Sequence, residues 1–318
     1  LTDTETHSMQ MLDARSPASP RPARRIWRGA GSSRFAAIAI LLPPALILFS
    51  LFVILPLTES GYYAFFDWNG YGTPQDYVGL RNFEQIAGHS VFHTAIGNTT
   101  KIVAISLFIQ MPLALFLALL IYRKTPTNAV FRLIFFVPYI LAEVAAGLIW
   151  SFVFDGNYGV TAAIARSFGQ ESFFILADRD WAFVAVMTVI VWKYFGFHMM
   201  IYIAALQGVP EDLIEAAKIE GAKRSQIVRY VQIPQIRPAI IVSAFFAIIG
   251  ALQVFDVIIP LTNGGPSNQT HTIVTYLYSF GLTRLKIGFG SAVGVLLFFA
   301  AILVAVFYQR IFMKGSRA

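Results

Sequence analysis

Long apolar stretches alternate with short polar ones along most of the chain. A helix rises 1.5 Å per residue, so about 20 apolar residues cross about 30 Å of hydrocarbon. Stretches of that kind fall at about 36–57, 102–122, 133–153, 182–206, 239–260 and 289–308. Segments 36–57, 102–122 and 289–308 hold no Asp, Glu, Lys or Arg. A membrane β-barrel would instead show segments of about ten residues alternating with period two. The pattern predicts an all-α, polytopic membrane bundle of six transmembrane helices.

Composition agrees. Of 318 residues 57% are hydrophobic and 13% charged, with mean hydropathy +0.64. A soluble domain carries about 25% charge, so a water-facing surface for one large soluble core is out of reach. Disorder and coiled coil are excluded on the same ground. There is no cysteine, which removes disulfides, zinc-thiolate sites and cysteine nucleophiles.

Charge sets the expected orientation. Seventeen of the 24 Lys and Arg lie before residue 35, in 123–132, in 207–238 or after residue 308. Five lie on the opposite side: Arg81, Arg166, Arg179, Arg284 and Lys286. By the positive-inside rule both termini are cytoplasmic. The net charge of +7 is then a topological bias, and no nucleic-acid partner is implied. Residues 1–34, rich in Pro, Ser and Arg, read as a disordered basic cytoplasmic tail. Residues 35–313 read as the six-helix domain and 314–318 as a short cytoplasmic tail. The first apolar run is too long for a secretory signal and no small-residue cleavage site closes it.

The long cytoplasmic loop, 207–238, has the marks of two short helices. Pro210, Glu211 and Asp212 suit a first turn, and Gly221 suits a C-terminal cap with positive φ. Residues 222–232 form the second helix, which Ile233-Pro234 is expected to stop. Such a loop is a rigid knob rather than a slack connector.

Glu215-Ala216-Ala217, then Gly221, then Val231-Gln232-Ile233-Pro234 resembles the Glu-Ala-Ala signature of inner-membrane permease subunits of binding-protein-dependent ABC importers. Phe66-Asp67-Trp68-Asn69-Gly70, the stretch Tyr77 to Phe83, and Leu261 to Pro266 resemble carbohydrate permeases of the maltose-importer, larger-subunit (MalF) type. The resemblance implies that the loop is a coupling helix seated in a separate ATPase. It implies as partners a second permease (MalG-type), an ATPase dimer that binds ATP and Mg, an extracytoplasmic sugar-binding protein, and a sugar substrate, an oligosaccharide. It places the chain in the inner membrane of a prokaryote as a transport subunit rather than an enzyme, with no cofactor of its own.

Charges within spans usually face a bundle interior or a cavity. Glu143 and Lys193 fall near mid-bilayer, where they either pair with each other or line a path; Asp256 falls near the outer end of the fifth span. Sugar recognition needs aromatic faces and hydrogen-bonding groups. Span four offers Trp192, Tyr194, Phe197 and His198, span three Tyr139 and span five Gln253. By the resemblance, Tyr139, Tyr194, Phe197, Ala247, Gly250, Ala251 and Val254 match positions that hold sugar in the maltose subunit. Ala, Gly and Val there do not reproduce that subunit's polar contacts.

No phosphate-binding Gly-x-x-x-x-Gly-Lys-Ser/Thr occurs. Gly288, Gly290 and Gly294 are expected to serve close helix packing. No metal-ligand or nucleophile-elbow motif appears. The competing reading is an ion-coupled secondary carrier or a polytopic membrane enzyme. A solitary carrier has no use for a rigid cytosolic knob, so the loop separates the two.

Overall fold

The computed structural model describes residues 30–169 and 173–313. Among these the only strand-like pairing is an isolated antiparallel bridge between Phe66 and Tyr77. Most of the tail assigned to 1–34, and the segment 314–318, lie outside the described residues. Helix begins at Ala30, inside the segment expected as tail.

The chain divides into two units, 1–56 and 57–318. The first span, α1, covers Ile38–Tyr63. From Ile38 to Leu55 every side chain is exposed and nearly all are apolar, a surface suited to lipid.

In the second unit, α2 (Arg81–Gly88) leads into α3 (Ser90–Ile121). Then come α4 (Pro126–Ile140), α5 (Glu143–Val153) and α6 (Val160–Ser167). The central helix α7 (Arg179–Gln207) packs against both α3 and α4. Asp178 caps α7 by accepting from the backbone N–H of Asp180 and Trp181, at 2.9 and 3.0 Å. At Gly196 of α7 an added Cβ would lie 2.2 Å from the carbonyl oxygen of Phe135. Only glycine lets α4 come so close.

The remaining helices are α8 (Glu211–Ile219), α9 (Arg224–Gln235), α10 (Arg237–Leu252), α11 (Ile258–Thr262), α12 (Ile273–Leu282) and α13 (Ile287–Phe312).

Several expectations change. The third span is not one helix: α4 and α5 meet at 98°. Leu141 and Ala142 take polyproline-like dihedrals there (φ near −60°, ψ near +140°). The fifth span stops at Leu252 instead of 260, so Gln253, Val254 and Asp256 sit on irregular backbone before α11. Non-helical backbone at membrane depth is tolerated where it lines a cavity.

Pro234 does not stop the second loop helix. A π-helical stretch, Val228–Gln232, precedes it, and helix runs on to Gln235 before bending 68° into α10. The i+5 register of that stretch suits a residue with no N–H to give. Pro210 caps α8 rather than occupying its first turn.

Of the glycines near the sixth span, Gly290 makes the expected close approach of two helices, whereas Gly288 meets a loop. The Cβ missing from Gly288 would meet the carbonyl oxygen of Phe66 in the first loop, and Gly290 lies against Gly281 of α12. A Cβ at Gly294 would meet only side-chain atoms at ordinary contact distance.

Candidate functional site: a membrane cavity and an exposed knob

Helices α3, α4, α5, α7 and α10 enclose a cavity of about 420 Å³. Its aromatic wall is built by α4, α7 and α10. Tyr139 stacks on Phe197 at 4.9 Å, and Phe197 meets Phe246 edge-on at 6.0 Å. Tyr194 donates its hydroxyl hydrogen to Glu143 Oε1 at 2.7 Å. His198 Nδ1 lies 2.6 Å from Ser243 Oγ. Gly250, Ala251, Gln253, Val254, Ala247 and Asp256 complete the α10 side.

Most of the expected path residues therefore do line one cavity. Trp192 does not; it points the other way, edge-on to Trp150 at 5.3 Å. Within a helix a residue two places before Tyr194 faces the opposite side. Two polar contributors were not foreseen, Ser106 and Gln110 of α3, both buried against the cavity, nor was the aromatic Phe246 of α10. A π-helical stretch covers Ser106–Gln110, a feature frequent at functional sites. Neither residue stands out in a charge-free apolar run.

The expected alternative of a Glu143–Lys193 pair is not realised: no ion pair joins them among the described residues. Lys193 is 1% exposed, and Nζ donates to the carbonyl of Leu141 at 2.7 Å. The carbonyls of Pro138 and Tyr139 lie at 3.4 Å. The bend strands the last carbonyls of α4, and the ammonium satisfies them at the negative end of the helix dipole. Glu143 sits in the first turn of α5, where the dipole favours an anion.

Thr272 donates to the carbonyl of Val254 at 2.8 Å, and Asn98 donates to the carbonyls of Gln269 and His271 at 2.6 and 3.0 Å. These bonds hold the segment before α12 over the cavity wall.

On the other side, α8 buries none of its residues. It ends in a Schellman motif: Ala222 N–H donates to the Ala217 carbonyl and Gly221 N–H to the Lys218 carbonyl, both at 3.0 Å. Gly221 has φ +78°, as the sequence requires of its C-terminal cap. Glu215 and Ala216 are exposed, as are two apolar residues the motif did not flag, Leu213 and Ile219, the latter 85% exposed.

The knob is tied to the bundle at Tyr122, where α3 ends. Its carbonyl accepts from Arg132 and Gln207, both at 2.8 Å, and its hydroxyl accepts from Gln232 at 3.1 Å. Ile214 and Lys218 of α8 face the same junction across a small cleft.

The family described as "Binding-protein-dependent transport system inner membrane component" matches residues 110–317. The sulfoquinovosyl glycerol transport system permease protein SmoG of Agrobacterium fabrum is 32% identical over 286 residues, 90% of this chain and 92% of that protein. The diacetylchitobiose uptake system permease protein NgcF of Streptomyces coelicolor is 31% identical, across 84% of this chain and 79% of that protein. Among solved structures, a chain of a bacterial ABC transporter involved in import of the acidic polysaccharide alginate superposes with TM-score 0.80. It is 23% identical and covers 90% of this chain and 98% of its own; the likeness is one of fold.

Proposed function

Because the chain belongs to the family of binding-protein-dependent transport system inner membrane components, we propose that it carries a sugar across the membrane as one half of an importer's permease pair. It is a permease component, and ATP hydrolysis belongs to a separate subunit. Its partners on this reading are a second permease, two ATPase copies and an extracytoplasmic binding protein. A structure similar in fold was solved with an alginate-pentasaccharide-bound periplasmic protein. The skew of Lys and Arg supports cytoplasmic termini, which puts α8 in the cytosol. The cavity between α3, α4, α7 and α10 is the path, with Tyr139, Tyr194 and Phe197 as its aromatic contacts.

The exposed, Schellman-capped α8 carries this reading. Glu215, Ala216, Leu213 and Ile219 form a polar-and-apolar face that none of the described residues covers, as a coupling helix must offer an ATPase. Gly221 needs a left-handed backbone, yet open space surrounds its missing Cβ. A β-branched residue there meets backbone strain alone, about 1–3 kcal/mol. Gly221→Val is expected to abolish uptake and loosen the ATPase, while Gly221→Asn, which tolerates positive φ, keeps most of both. Normal uptake by Gly221→Val, with the ATPase co-purifying at the usual ratio, would remove the coupling assignment.

Relatives' names span sulfoquinovosyl glycerol, diacetylchitobiose and starch degradation products. Membership of the family thus leaves the charge of the cargo open.

A further inference from the structure

Among the described residues the charged side chains lining the cavity are carboxylates, Glu143 and Asp256, and no Lys or Arg lines it. Lys193, the cation at that level of α7, is engaged with the carbonyls of α4 and is not part of the lining. A third acceptor is independent of these two. Gln110 lines the same cavity, is 2% exposed, and its Oε1 has no hydrogen-bond partner among the described residues. Buried acceptors left without donors are costly, and ionised carboxylates accept only. Glu143 uses one oxygen on Tyr194 and keeps further capacity. The cavity calls for donors.

Hydroxyl and ammonium groups supply donors; carboxylate, sulfonate and phosphate groups supply more acceptors and like charge. Resting on the transport reading above, we propose that this cavity takes a neutral or ammonium-bearing saccharide and rejects acidic ones. Gln110 is the specificity contact from α3, with Glu143 and Asp256 setting the charge. The stacked Tyr139 and Phe197 offer apolar faces to the ring in either case, so the discrimination lies in the acceptors.

The test uses the permease–ATPase complex in nanodiscs without binding protein, so that the soluble receptor's own selectivity does not enter. Three disaccharides of one linkage are compared by equilibrium binding: of glucose, of glucosamine with its amine protonated, and of glucuronate. The glucose and glucosamine forms are expected to bind, with the glucuronate form weaker by about tenfold or more, the size of effect that like-charge juxtaposition produces. The double variant Glu143→Gln, Asp256→Asn is expected to narrow that gap, and Gln110→Leu to weaken the glucose form by about fivefold or more. Equal binding of the glucuronate form by the unaltered complex overturns the proposal, whatever the variants do. So does binding of none of the three by an assembled complex with active ATPase. Failure of the chain to assemble with an ATPase at all, read separately from co-purification, instead removes the transport reading.

Discussion

Lys193 offers the most direct test of how the bent third span is held. Replacing it by Met keeps an unbranched, largely apolar stem in a site only 1% exposed and removes the ammonium. The 2.7 Å bond to the Leu141 carbonyl is charge-assisted and, by typical values, worth about 1.5–3 kcal/mol. The contacts at 3.4 Å to Pro138 and Tyr139 are at the edge of hydrogen bonding and add little. Against this loss stands relief from burying an ammonium, which the same change removes. The stranded carbonyls remain, each costing about 1–3 kcal/mol if no water reaches it. Net destabilisation of about 2 kcal/mol is expected, or roughly thirtyfold in the unfolding constant. Denaturant titration in bicelles measures it, with Lys286→Met, on an exposed side chain, expected within about 0.5 kcal/mol of the parent. Uptake should fall as well, because Leu141 leads directly into Glu143 and the cavity. A Lys193→Met chain as stable as the parent would refute the capping role.

Three further outcomes follow from other parts of the molecule. Ser225→Cys, on the exposed face of α9, should be labelled by an impermeant thiol reagent only after the cell is opened; labelling in intact cells would reverse the orientation. Asn98→Ala strands the carbonyls of Gln269 and His271, so the segment before α12 should lose hydrogen-exchange protection by about 1–3 kcal/mol, and unchanged protection would show that water replaces the amide. Burial, and next the positive charge of Arg284, push His271 down to about 4 from an ordinary 6.5; between those values the unfolded segment binds more protons, so its stability should fall as pH drops from 6.5 toward 4, a slope that His271→Gln should flatten.

Much of the architecture is legible in the sequence, because it depends on quantities that run along the chain. Apolar length located four helices long enough to cross a membrane and the two bent pairs. The Gly221 cap followed from local backbone chemistry, and Tyr139, Tyr194 and Phe197 from residue type. What escaped depends on hydrogen-bond register and on which face meets a neighbour. An apolar count passes straight over Leu141-Ala142, although Pro138 and Glu143 flank the break. It equally carries a helix through Gln253. Ser106 and Gln110 carry no charge and no aromatic ring to mark them in an apolar run, and only the packing of α3 on α7 and α10 brings them to the cavity. Trp192 was grouped with its neighbours by chemistry and separated from them by helical phase.

The junction at Tyr122 has a mechanical consequence. One residue receives bonds from α4, from the end of α7 and from α9, and Ile214 and Lys218 of α8 face it. Through this one residue the ends of α3, α4, α7 and α9 are joined into a stiff block, with α8 standing across a small cleft from it. Compliance must then sit at the far end, where Leu141-Ala142 and the stretch from Gln253 to Val257 interrupt the helices. Those interruptions border the cavity, so a load applied at the Tyr122 end would be taken up as deformation of the cavity wall rather than dissipated along the shafts.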